Sequence, residues 1–134
     1  MTNGKIIKYK ARFVARGFEQ IYGQDFDETY IPVTPLSSLR LLFALSMQFN
    51  LDLQHMNVET AFLNAKLTEK VYIEIPQGVQ INNPYNRLKL NRALYGLKQS
   101  PRAWYEDIQK SLQSRNFKCM QNENCLSLNT QTTI

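Results

Sequence analysis

The sequence is short of several residue types, and each shortage closes off a class of protein. Among 134 residues there are two cysteines, one histidine and one tryptophan, with five glycines and five prolines. Cys119 and Cys125 have neither metal-ligand spacing nor the density of a secreted disulfide scaffold, which predicts two reduced thiols in an intracellular protein. The longest unbroken apolar run, Leu41–Leu45, is far too short to span a membrane. The first ten residues are polar and basic with no apolar h-region, so no signal peptide is expected. What remains is globular in composition, 43% hydrophobic and 11% aromatic. A chain of this length is one domain at most and is expected to bury roughly 68% of its unfolded surface.

Charge is distributed in blocks. The net value is +5. Residues 1–24 carry five Lys or Arg against one acid, 25–84 carry three against seven, and 85–118 carry eight against two. Two basic blocks therefore bracket an acidic middle, an arrangement suited to a polyanion partner with cations held between. The acids Asp25, Asp27 and Glu28 lack the further ligands and fixed glycine of a calcium loop and are read as a solvated loop.

Periodicity supplies the elements. Asn3-Gly4 is a strong hairpin-turn signal, followed by alternation from Ile6 to Ala15 that sets Lys8, Lys10 and Arg12 on one face. Only two residues precede the turn, so the entering strand is missing and the chain reads as cut from something larger. After a loop over 17–35, Thr34 as N-cap and Pro35 at the first position predict a helix over 35–50, stopped at Asn50. Its wide apolar face (Leu39, Leu42, Phe43, Met47, with Leu36, Leu41 and Leu45) predicts deep burial against a sheet. Strands are expected over 51–58, 71–75 and 87–91, with turns at 64–66 and 82–84. Ser100-Pro101 reads as an N-cap and first-turn proline, and Trp104, Ile108 and Leu112 carry a helix to about Arg115. A strand could start at Phe117, and no packing pattern is legible beyond Asn124.

The stretch 51–64 organises the rest. Leu51, Leu53, His55 and Asn57 alternate on one face until β propensity falls at Glu59-Thr60-Ala61, and Phe62 follows Asn57 by five positions. A polar residue late in a core strand with an aromatic beyond it can present one side chain to a cleft. M-N-V-E-T-A-F-L-N resembles the first catalytic motif of reverse transcriptases from copia-type LTR retrotransposons, where M-D-V-K-T-A-F-L-N-G is usual. L-Y-G-L-K-Q-S-P-R-A-W-Y, K-Y-K-A-R-F-V-A-R-G-F-E-Q, D-F-D-E-T-Y-I-P-V and E-N-C-L resemble further blocks of that family, in the family's order, over residues from about 5 to 126.

The resemblance implies an α+β fold, a partial fingers and palm, with about 1–34 fingers-like and 35–134 partial palm and fingers, truncated before a Y-V-D-D hairpin. It implies RNA- or DNA-templated DNA synthesis, with two Mg²⁺ held by three aspartates. One of those positions is occupied here by Asn57, and no adjacent pair of aspartates occurs in the 134 residues. By the same resemblance Lys10 and Arg12 face the triphosphate and the Val58 backbone touches a metal. Phe62 packs under the sugar and discriminates against a 2′-hydroxyl. Gly96 lies at the nucleotide and, with Ser100, Pro101 and Arg102, shapes the template side. His55 is then a strand residue rather than a base, because this chemistry uses metals. The implied partners are a template–primer, deoxynucleoside triphosphates and the remainder of a Pol polyprotein, in the cytoplasm or a virus-like particle. A neutral amide at 57 replaces charge and bridging geometry with one weak oxygen. Two expectations follow: an inert enzyme fragment, or a non-catalytic module that binds nucleic acid or pairs with another polymerase chain.

Overall fold

A computed structural model describes residues 6–82 and 84–129, so the expected turn at Asn3-Gly4 and part of that at 82–84 lie outside the described residues. The architecture is mixed helix and strand, as expected: α1 (Leu36–Gln48), α2 (Ala61–Asn64), β1 (Tyr72–Glu74), β2 (Arg87–Lys89), α3 (Ser100–Gln113), β3 (Phe117–Met120) and β4 (Glu123–Asn129). The strands form two antiparallel pairs, β1 with β2 and β3 with β4. Tyr72 sits opposite Lys89 and Phe117 opposite Asn129, with an irregularity between Cys119 and Met120.

A small core lies between β1, β2 and the turn before α3. Val71, Leu94 and Leu97 are buried there, and Ala15, Leu67, Ile73 and Leu90 pack around them. Ala65 and Ala93 are fully buried beside it, joined by the Ala93 N–H donating to the Ala65 carbonyl at 2.9 Å. The α3 helix packs on α2 and β3. Its Tyr105 hydroxyl and Gln109 amide both donate to the Asn124 carbonyl, at 3.0 and 3.1 Å, and so hold the helix to the β3–β4 hairpin.

Several expectations are corrected. The exposed surface is 11922 Å², against about 7,300 Å² for a folded monomer of this mass and about 22,600 Å² unfolded. The chain therefore buries roughly half of its surface, not two thirds. The α1 helix forms where expected but packs on neither sheet. Leu39 and Leu42 are 40% exposed and Met47 is 83% exposed. Ser38 Oγ donates to Glu123 Oε2 at 2.8 Å, a tether at one end. The helix begins at Leu36 with an extended Pro35 as its cap, one residue later than expected. It stops at Gln48, two residues short of the expected Asn50, whose φ of 50° is left-handed. The Leu51 N–H bonds back to the Ser46 carbonyl at 2.8 Å, closing the turn.

Residues 51–58 form no strand and every one is exposed. Alternation alone does not make a strand; a ladder needs a paired backbone, and residues 51–58 pair with no described segment. Residues 6–15 likewise form no strand. In the opposite direction, β4 occupies a stretch where no pattern was expected. It is specified by its pairing to β3 across the short turn at Gln121-Asn122 rather than by its own periodicity. Ser100 is the first helical residue of α3 rather than its cap, and the helix stops at Gln113.

Candidate nucleotide and template site

The geometry of the site is set by a backbone crossing. Gly96 has a φ of +94°, and a Cβ there would overlap the Ala15 carbonyl oxygen. A Cβ on Gly17 would in turn overlap the Gly96 carbonyl. Only glycine at both positions allows the two chains to pass so closely. The Ala15 N–H donates to the Tyr95 carbonyl at 2.8 Å, and the crossing fastens the basic N-terminal stretch to the turn before α3.

Two glutamines lock the crossing. Gln99, 2% exposed, accepts at Oε1 from Gln20 Nε2 at 3.0 Å and donates from its own amide to the Asp25 carbonyl at 2.9 Å. Gln20 Oε1 accepts from the Lys98 N–H at 2.8 Å, and Lys98 Nζ returns to the Gln20 carbonyl at 3.2 Å and lies over the Phe26 ring at 4.7 Å. A buried amide with both ends partnered specifies one arrangement, because any other leaves a polar group unsatisfied. Neither glutamine stood out in the sequence as a site residue. The signal available was only the K-Q-S-P context of Gln99, and Gln20 lies 79 residues away.

The predicted site residues divide into two groups. Phe62 lies on α2 with its ring 4.6 Å from that of Tyr95, which places it beside Gly96. Ser100 is fully buried, and its hydroxyl donates to the Leu94 carbonyl at 2.6 Å, so it braces the turn instead of capping α3. Pro101 and Arg102 open the helix behind it. Arg102 is paired with Glu28 at 3.3 Å and with Glu106 at 3.0 Å. Asn57 and Val58 form the second group with Lys10 and Arg12. All four are exposed on irregular chain, and the structure does not bring them onto the Gly96 turn. Thr60, with a φ of 50°, turns the chain between Val58 and α2.

Among the described residues no three His, Cys, Asp or Glu side chains cluster as a metal site. The donor set at 57 does not fit a pair of Mg²⁺, since its one oxygen belongs to a neutral amide. No helix of the described residues is long and apolar enough to cross a membrane. Beside the crossing, an open cleft of about 710 Å³ runs between Phe13–Arg16 and the β1 strand with its following residues.

The sequence matches the reverse transcriptase (RNA-dependent DNA polymerase) family over residues 2–132. The chain belongs to this family. Reverse transcriptase domains of copia-type retrotransposon Pol polyproteins are its relatives. It is 38% identical over 123 residues to the retrovirus-related Pol polyprotein from transposon TNT 1-94 of Nicotiana tabacum, covering 91% of this chain and 9% of that one. It is 38% identical over 117 residues to the polyprotein from transposon RE1 of Arabidopsis thaliana, covering 87% and 8%. A truncated transposon Ty1-A Gag-Pol polyprotein of Saccharomyces cerevisiae is 33% identical over 129 residues, covering 94% and 10%. This reverse transcriptase chain thus spans about a tenth of the length of the curated relatives it matches. No solved structure matches it.

Proposed function

We propose that this chain supplies the fingers and part of the palm of an RNA-directed DNA polymerase, and that these 134 residues have no polymerase activity by themselves. One observation supports the reading above others. Three separate motif blocks meet at one turn: Ala15 bonds to Tyr95, Phe62 packs its ring at a tilt against Tyr95, and Gly96 follows it. In this reading Phe62 lies under the sugar of the incoming nucleotide, Lys10 and Arg12 close on its triphosphate, and Gly96, Ser100, Pro101 and Arg102 face the template. Residues 1–34 form the fingers-like part and 35–134 the partial palm and fingers. The setting is a Pol polyprotein, in the cytoplasm or a virus-like particle.

The inactivity rests on chemistry. A two-metal site needs anionic ligands that bridge both ions. Asn57 supplies no charge, and the 134 residues contain no adjacent pair of aspartates. Losing a carboxylate between two divalent ions costs several kcal/mol of transition-state stabilisation, and each ~1.4 kcal/mol is about tenfold in rate. The second reading, a non-catalytic module, is favoured by the same Asn57 together with the two basic blocks.

The test is primer extension with template, deoxynucleotides and Mg²⁺ on three proteins: this chain, its Asn57→Asp variant, and Asn57→Asp extended with a Y-V-D-D hairpin and the remaining palm. Only the third is expected to extend the primer. Extension by the single variant would overturn the argument from two deficits. Binding of a labelled template–primer to the unextended chain should be weak and sequence-independent, with logarithmic affinity falling linearly with logarithmic salt. Salt-insensitive binding would leave the basic blocks as ordinary surface.

A further inference from the structure

The cleft beside the glycine crossing has the form of a gap in a sheet. One wall is the run Phe13–Arg16, and the other is β1 with its flanking residues, Val71–Gln77. Among the described residues β1 pairs with β2 on one edge only, which leaves its other edge unpaired, and Tyr72, Ile73 and Glu74 line the cleft. An edge of this kind is a template for a further strand. The floor is apolar, with Val71, Ile73 and Leu97, and Glu19, Asp25 and Glu74 stand around it with Arg16 and Arg87.

We propose that this gap receives residues 6–12 of a second copy of the chain, in a reciprocal strand exchange that makes a two-fold dimer. The occupant is argued from its pattern. Residues 6–12 are in neither helix nor ladder and every one is exposed, with Ile7 80% and Tyr9 84% exposed. As a strand they present Ile7, Tyr9 and Ala11 on one face and Lys8, Lys10 and Arg12 on the other. The apolar face suits the floor of Val71, Ile73 and Leu97. The basic face suits the rim's excess of carboxylate: the pair of Arg16 with Glu19 at 3.3 Å leaves Asp25 and Glu74 beside Arg87. The same chain's own residues 6–12 do not serve. They run straight into Phe13–Arg16, which is one wall of the gap, and Ala11-Arg12-Phe13 contains no turn residue to fold the strand back. An isologous exchange fills both gaps with one contact repeated, and main-chain hydrogen bonds on both edges supply the affinity. The inference stands independently of the polymerase reading.

The experiment is sedimentation velocity of the full 134-residue chain over a concentration series, with and without a synthetic peptide copying residues 6–14. A discrete dimer is expected, converted by excess peptide to a monomer carrying one peptide. Fluorescence anisotropy of the labelled peptide should saturate. The same peptide carrying Lys8→Glu, Lys10→Glu and Arg12→Glu should bind at least about tenfold more weakly. Glu74→Lys in the full chain, with unchanged far-ultraviolet circular dichroism, should weaken the native peptide in the same way. A monomer at every concentration that takes up no peptide overturns the proposal. So does peptide binding indifferent to charge reversal, or association into aggregates of no fixed stoichiometry that the peptide leaves intact.

Discussion

Two helices of nearly equal length meet opposite fates in this molecule. The α3 helix spans 14 residues, is polar on one side, and lies against α2 and β3. The α1 helix spans 13 residues, is apolar on most sides, and leaves its leucines and Met47 open, with Ser46 buried and Ser38 tethered to Glu123. Burial usually follows apolarity, and here it runs the other way. The composition of a helix reports the surroundings it is suited to, and a helix apolar all round is suited to a core. Whether it is buried depends on which layers are present to cover it. Residues 60–129, to which the Gln20–Gln99 lock fastens the N-terminal stretch, hold their own partners, as the Ala65–Ala93 pair and the β3–β4 hairpin attest. The α1 helix and residues 51–58 do not, and that is the region carrying Asn57.

The contrast can be broken most forcefully at the crossing. Gly96→Ala puts a methyl group onto the Ala15 carbonyl at a φ of +94°. Left-handed strain alone costs ~1–3 kcal/mol, and the overlap adds to it, so a loss of at least about 3 kcal/mol is expected. Urea denaturation followed by circular dichroism should show the midpoint collapse. A midpoint close to wild type would mean that the N-terminal stretch is not fastened to the Tyr95 turn.

A like-for-like comparison comes next. Leu97 is 5% exposed in the core, and Leu42 is 40% exposed on α1. Leu97→Ala should cost about 3 kcal/mol, within the range for a core leucine. The same change at Leu42 should cost under about 1 kcal/mol, because little apolar surface leaves water there on folding. Equal losses at the two positions in urea titrations would show α1 covered in solution, by a second copy or by the rest of the fold.

These positions also show what the sequence could and could not tell. Both long helices were legible, from the Trp104–Ile108–Leu112 stripe and from the leucines between Pro35 and Asn50. Strands near 71–75 and 87–91 were legible from short alternating runs between turn residues. The strand expected over 51–58 failed because alternation fixes only which face a residue would take, while the ladder requires a second backbone. The strand β4 was missed for the converse reason, since its partner decides it. The motif residues Phe62, Gly96 and Ser100 were found by resemblance, but the lock that organises them was not. Gln20 and Gln99 carry no local signature, and what makes them matter is a contact across 79 positions with burial that only the fold creates.

The smallest effect expected lies at the packed helix, in the Tyr105 phenol. Its hydroxyl donates to the Asn124 carbonyl at 3.0 Å and accepts from Gln109 Nε2 at 3.2 Å. Tyr105→Phe removes both bonds, but Gln109 still reaches the same carbonyl at 3.1 Å, so the loss near neutral pH should be about 0.5–1 kcal/mol. Partial burial, with the Cys119 and Cys125 thiols nearby, raises the Tyr105 pKa above its ordinary 10.0. The unfolded phenol therefore gives up its proton first as pH rises. The stability contributed by the protonated group is whole below pH 10.0 and falls as pH climbs through the raised folded value. Phenylalanine has no proton to lose. The stability gap between wild type and Tyr105→Phe should accordingly stay constant up to pH 10.0 and narrow above it. Other groups that titrate in this range cancel in the difference to the extent that they are common to both proteins. Urea titrations of the pair at matched alkaline pH measure the gap, and one that held constant well above the ordinary phenol pKa would show that α3 does not shield Tyr105 from water.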